Sequence, residues 1–92
     1  MVLLLSWDAG LPFRDRVTVA PITSVIRGLD AEVFLDESDG LSTACVVNLD
    51  VLQTVVRSSL QTRVVELSVD RMVEVDKAIH RALGMALPCL LV

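Results

Sequence analysis

The side chains in this sequence best placed for chemistry are two hydroxyls, Thr23 and Ser24. They close an apolar run, residues 17–28 reading VTVAPITSVIRG, which breaks at the hydroxyl pair and turns at Gly28. Val17, Thr18, Val19, Ile22 and Thr23 are β-branched and suit a pleated sheet, whereas Pro21 limits how far such a strand can lie in a central ladder. The hydroxyls are therefore expected at a strand end beside a loop, where the scaffold fixes a polar group and the loop gives a ligand access. Threonine in a strand is also a plain β-former, so this local pattern leaves a purely structural role open. His80 is the only histidine, and Cys45 and Cys89 have no companion cysteine at metal-ligand spacing. Neither a metal site, a cofactor nor a classical triad is expected, and both thiols read as reduced and buried.

Composition narrows the partners. Ninety-two residues make one small domain, residues 1–92, which buries a modest share of its unfolded surface. Hydrophobic residues reach 53%, above the roughly 45–50% of ordinary domains, and the excess suggests an oligomer interface. No apolar run approaches the ~20 residues that span a bilayer. The opening MVLLLSW lacks a basic flank and a cleavage site, so it is not read as a signal peptide and a cytoplasmic protein without membrane contact is expected. The net charge of −4 works against a polyanion, so any nucleic-acid site must be a local basic patch. Seven of the eight basic residues are Arg, which suits planar contacts to carboxylate or phosphate.

The elements that must position the hydroxyls follow from periodicity. Residues 2–5 form an unbroken apolar run that reads as a strand buried on both faces, and residues 7–16, with Gly10 and Pro12, as a surface connection. Residues 31–35 alternate Ala31, Val33 and Leu35 against Glu32 and Phe34, as an antiparallel return strand does. Residues 36–40, DESDG, read as a solvated acidic turn without function. Residues 45–49 are a core strand whose Asn48 must be satisfied if buried, and residues 52–56 continue in short β-branched form. Residues 57–62 read as a turn or one helical turn and residues 64–67 as a last short strand. Then the period changes: Ser68 is an N-cap, Asp70 lies in the first turn, and Met72, Val75, Ile79, Ala82 and Leu83 recur at helical spacing up to Gly84. His80, beside that stripe, reads as a packing or solvent-facing residue. The apolar tail, residues 85–92, must fold back or cover a partner.

Four stretches taken in order resemble the MazF/PemK family of toxin endoribonucleases from bacterial toxin–antitoxin pairs. VLLLSWDA resembles the family's VLVLSxDA, and VTVAPITSVIRGL its VVVAPITSxxRGL. GLSTACVVNLDVLQTV resembles GLxxxSVVNLDxLxTV, and LSVDRMVEVDKAIHRALGM the helix LSxxxMxxVDxALxxALGL. The resemblance implies a mainly β fold with one C-terminal helix, a small twisted antiparallel sheet curled into an SH3-like barrel of the MazF/PemK (CcdB-like) type, and a homodimer. It also implies cleavage of single-stranded RNA at preferred sequences without a metal, and a cognate antitoxin that blocks the groove. The reaction would be attack of a ribose 2′-OH on the adjacent phosphate. Thr23 corresponds to the threonine of the family's APIT motif and would donate to the phosphate in the transition state. Ser24, Arg27, Asn48 and Gln53 would contact substrate by position.

The sequence departs from the family at its start. The family arginine stands in an RPVLV motif, and here Met1 takes the proline position, so that arginine would lie one residue upstream. The family's first strand is missing as well. Either the start was assigned too late or the gene is a truncated remnant. Val51 and Val65 also stand where many members carry glutamine and glycine. The alternative reading, favoured by the missing arginine and the acidic charge, is a catalytically dead module that binds antitoxin or partner subunits without cleaving RNA. A small β-rich scaffold with no nucleic-acid role is the third.

Overall fold

The computed structural model describes residues 1–5, 15–60 and 65–84. The connection at residues 6–14, Val64 and the tail at residues 85–92 with Cys89 lie outside them. The architecture is an antiparallel sheet followed by one C-terminal helix, as the hydropathy patterning requires. β1 (Val2–Leu4), β2 (Arg16–Thr23), β3 (Glu32–Leu35), β4 (Cys45–Asn48) and β5 (Gln53–Val56) precede α1 (Val69–Leu83). Their order is β1-β2-β4-β3, with β5 also paired to β2.

β2 is the hub of this arrangement. One edge holds β1 through Val2↔Pro21, Leu3↔Ala20 and Leu4↔Val19. The other edge holds β5 from Arg16 to Val19 and β4 at Ile22 and Thr23. Pro21 falls in the interval where that edge changes partner. It has no N–H to contribute there, which is why a proline is tolerated inside the central strand.

Alternation divides the sheet into two faces. Ala20, Val33, Leu35, Cys45, Val47 and Leu49 form the main core with Val75 and Ala78 of α1, which packs across β3. Thr23 pairs with Val46, which pairs with Phe34, and Asn48 pairs with Glu32, so these residues share the opposite face. The helix begins where expected, with Ser68 Oγ accepting the Arg71 N–H at 3.2 Å, and ends at a left-handed Gly84 with φ of 63°. No helix among the described residues is long and apolar enough to cross a membrane.

Several expectations are corrected. β1 is not buried on both faces: Val2 is 39% exposed, and among the described residues β1 pairs only with β2. β3 returns against β4 and not β2, with Val33 opposite Val47 and Leu35 opposite Cys45 on the core face. Residues 65–67 are not a strand; Val65 and Leu67 pack on the core as irregular chain. Met72 and Leu83, expected in the buried stripe of α1, are exposed, since Val75 and Ala78 alone reach the centre of the contact. Of the two roles expected for His80 the solvent-facing one holds, its Nδ1 lying 2.8 Å from the Asp76 carbonyl oxygen.

Candidate functional site

Thr23 is the last residue of β2, and its position is determined twice over. Its backbone is in register with Val46, and the Ile22 N–H before it donates to the Met1 carbonyl at 3.1 Å. Its Oγ1 accepts the Val25 N–H at 3.1 Å, a local turn that orients the side chain. A hydroxyl that accepts from the backbone keeps its own proton to donate. Thr23 is thus a half-buried donor at the mouth of a loop, as its place at the end of the apolar run predicts.

A cleft of roughly 150 Å³ opens beside it. Thr23 and Ser24 line it from the end of β2, and Ser42 and Thr43 line it from the segment leading into β4. Met1, Ile22, Leu41 and Cys45 complete the lining. Four hydroxyls on two chain stretches against apolar walls form a surface for polar, hydrogen-bonding groups of a ligand. Ser42 and Thr43 carried no signal of their own in the sequence beyond their place just before a core strand.

The other anticipated residues divide. Asn48 shares the sheet face of Thr23 and is its diagonal neighbour across β2 and β4, a separation of about 7–8 Å in antiparallel pairs. Its Oδ1 accepts the Asp50 N–H at 2.9 Å, so the turn after β4 already employs that oxygen. Gln53 pairs with Val19, four residues before Thr23, or about 13 Å along the strand. Arg27 sits in the exposed loop after β2, which Glu32 secures: its Oε1 accepts the N–H groups of Arg27 and Leu29 at 3.1 and 3.2 Å. None of these three lines the cleft. Arg16 stands at the far end of β2, about 23 Å from Thr23 along the strand. Among the described residues, no three His, Cys, Asp or Glu side chains converge as a metal-binding group.

The acidic turn before the cleft is more than a solvated loop, contrary to expectation. Asp36 caps a 3-10 turn, Glu37–Asp39, and accepts the Ser38 N–H at 2.9 Å, while the Asp36 N–H donates to Asp39 Oδ2 at 3.0 Å. Asp39 Oδ1 then accepts Arg71 Nε at 2.9 Å across 32 residues of sequence, its side chain only 7% exposed. Arg71 also donates to Glu74 at 2.9 Å. The Arg71 hydrogen bond, seconded by the Asp36 backbone, holds the Asp39 carboxyl below its ordinary value, and the same bond makes the Arg71 guanidinium harder to deprotonate. Burial pushes the Cys45 thiol up, with the Asp39 charge adding to it, so this residue at the cleft is a packing group rather than a thiolate nucleophile.

A small antiparallel sheet followed by one C-terminal helix is the architecture of solved MazF toxins. The structure is similar to that of the Mycobacterium tuberculosis toxin MazF-mt6, with a TM-score of 0.86 and 35% identity over 90% of this chain and 84% of that one. It is also similar to a mycobacterial endoribonuclease solved in complex with its cognate antitoxin, at a TM-score of 0.82 and 25% identity over 95% and 82% of the two chains. In sequence it is 40% identical over 89 residues to the probable endoribonuclease MazF5 of Mycobacterium tuberculosis, covering 96% of this chain and 78% of that protein. Residues 1–83 match the family described as PemK-like, MazF-like toxin of type II toxin–antitoxin systems, and the chain belongs to that family.

Proposed function

We propose that this chain is an endoribonuclease toxin of a type II toxin–antitoxin pair. It acts in the cytoplasm as a homodimer on single-stranded RNA, without a metal, and is restrained by a cognate antitoxin. Family membership supports the class of activity, and one observation supports the site: Thr23 presents a hydroxyl proton at a cleft where its oxygen is already held by the Val25 N–H.

RNA supplies its own nucleophile, the ribose 2′-OH, so the protein's task is alignment and charge stabilisation. As the 2′-oxygen gives its proton to water and bonds to phosphorus, and the 5′-oxygen leaves and takes a proton from water, negative charge grows on the phosphoryl oxygens. A donor already fixed in place stabilises that charge without reorganising. Thr23 is that donor in this reading, with Ser24 beside it and Asn48 on the same sheet face reading base edges or sugar. Arg27 and Gln53 bind flanking nucleotides, since both lie outside the cleft. The β1–β2 register adds a geometric point. Continuing the register Val2↔Pro21 sets the position immediately before Met1 opposite Thr23, so an arginine there would pair with Thr23 across the ladder.

The test is cleavage of a long single-stranded RNA in EDTA with 5′-end mapping by three proteins: this chain, its Thr23→Ala variant, and the chain extended upstream by the family's first strand and arginine. Cuts that vanish in Thr23→Ala support the reading. Cuts by the extended protein alone make the arginine opposite Thr23 part of the machinery. No cuts by any of the three, all folded, overturn it in favour of a module that binds antitoxin without cleaving.

A further inference from the structure

The cleft's second chain stretch has no ladder of its own to hold it. Residues 41–44 carry no strand pairing, yet Ser42 and Thr43 line the same cleft as Thr23 and Ser24. What precedes them is tied down by specific contacts: the capped turn Glu37–Asp39, Asp39 bonded to Arg71 of α1, and Gly40 in a left-handed conformation at φ 88°. Gly40 lies so close to Val65 that an added Cβ would come within 2.9 Å of its Cγ1. Leu41, 8% exposed, then anchors the chain in the core just before the two hydroxyls.

We propose that Arg71 is a positioning residue for substrate recognition: through Asp39 it holds Ser42 and Thr43 at the cleft, where their hydroxyls contact the RNA nucleotide adjoining the cleaved bond. This rests on the ribonuclease reading above and adds to it the residues that set sequence preference. Both hydroxyls are exposed, and each can donate and accept, which suits the mixed edges of a splayed base. A guanidinium is suited to the anchoring task because its fixed fork bonds Asp39 and Glu74 at once, and a lysine ammonium would not reproduce that geometry.

The experiment compares this chain with Ser42→Ala/Thr43→Val, Arg71→Met and Arg71→Lys. It measures affinity for a labelled single-stranded RNA carrying the mapped cut sequence and for RNAs with the base on either side of the cut changed, and kcat and KM for the cognate RNA. Thermal melting is followed alongside. The expected result is an affinity loss and KM rise of about tenfold in the hydroxyl double variant, with reduced discrimination between the RNAs and kcat within about twofold. Arg71→Met should show the same loss of discrimination while folded, and Arg71→Lys should restore part of it. Unchanged affinity and discrimination in the double variant overturn the proposal while leaving the nuclease standing. So does an Arg71→Met effect that follows the unfolded fraction alone. A folded chain that neither binds nor cuts RNA even when extended upstream by the family's first strand and arginine overturns the ribonuclease reading itself, and this proposal with it.

Discussion

Two stretches of chain reach the same cleft and are kept there by different physics. Thr23 ends a strand bonded on both edges, to β1 through Met1 and to β4 through Val46, so the main chain alone determines where it stands. Ser42 and Thr43 belong to irregular chain, and what holds their approach is side-chain chemistry: an Asp36 cap, a left-handed glycine and the Arg71–Asp39 pair spanning 32 residues. A backbone ladder survives most substitutions along it, whereas a clamp of this kind depends on single residues and on their charge. In the proposed reading, the first stretch carries the sequence-independent chemistry and the second the adjustable recognition.

The largest effect expected is at the ladder-held stretch. Removing one preorganised donor from a charge-developing site costs about 10²–10³-fold in kcat, so Thr23→Ala should lose that much cleavage while its melting temperature stays close to wild type. A comparable fall in stability instead would show that Thr23 holds the strand end rather than the phosphate. Next comes Gly40→Ala, which forces a side chain into φ 88° and against Val65. A cost of about 1–3 kcal/mol is expected, seen as a lower denaturant midpoint, and it should move the second stretch more than the first. Ser68→Ala removes the cap that accepts the Arg71 N–H, and about 1 kcal/mol should be lost. Because Ser68 lies three residues before Arg71, altered RNA discrimination in that variant would tie the helix start to the cleft.

The smallest effect is the pH response of the clamp. The folded Asp39 carboxyl titrates below its ordinary value of 3.8, so the folded state binds fewer protons than the unfolded one in that window. Its contribution is therefore complete above the ordinary carboxylate range and is lost as pH falls towards the depressed value. Urea midpoints should fall more between pH 5 and pH 3 for the wild type than for Asp39→Asn, an acid range set by where carboxylates titrate. Equal slopes would mean that the pair contributes nothing to folding.

Much of the fold was legible because local patterns and tertiary demands agree. The alternation of Ala31, Val33 and Leu35 returned as buried positions of 6%, 4% and 1%, and Ser68 and Gly84 bound the helix as their chemistry predicts. Thr23 was legible as a strand-end hydroxyl. Partner choice was not: nothing in the alternation of β3 says whether β2 or β4 receives it, because both present an apolar face. The apolar run at residues 2–5 misled for a related reason, since hydrophobic character says how a strand prefers to be covered and not how many neighbours it has. DESDG misled in the opposite way. Its composition is that of a solvated turn, and the cation that employs Asp39 comes from 32 residues further on.

The sequence by itself determined the class of element at nearly every described position, the helix and its caps, and the membership of a toxin family, because these depend on side-chain types at short range and on the order of motifs. Only the tertiary structure decided that Thr23 and Ser24 share a cleft with Ser42 and Thr43, that Asn48 lies on the same face while Gln53 and Arg27 stand apart, and that α1 reaches back to hold the acidic turn. Those facts depend on strand register and on one long-range ion pair. Register is set by how whole faces pack together, and the partner of a single charge is set by where the packed helix places it.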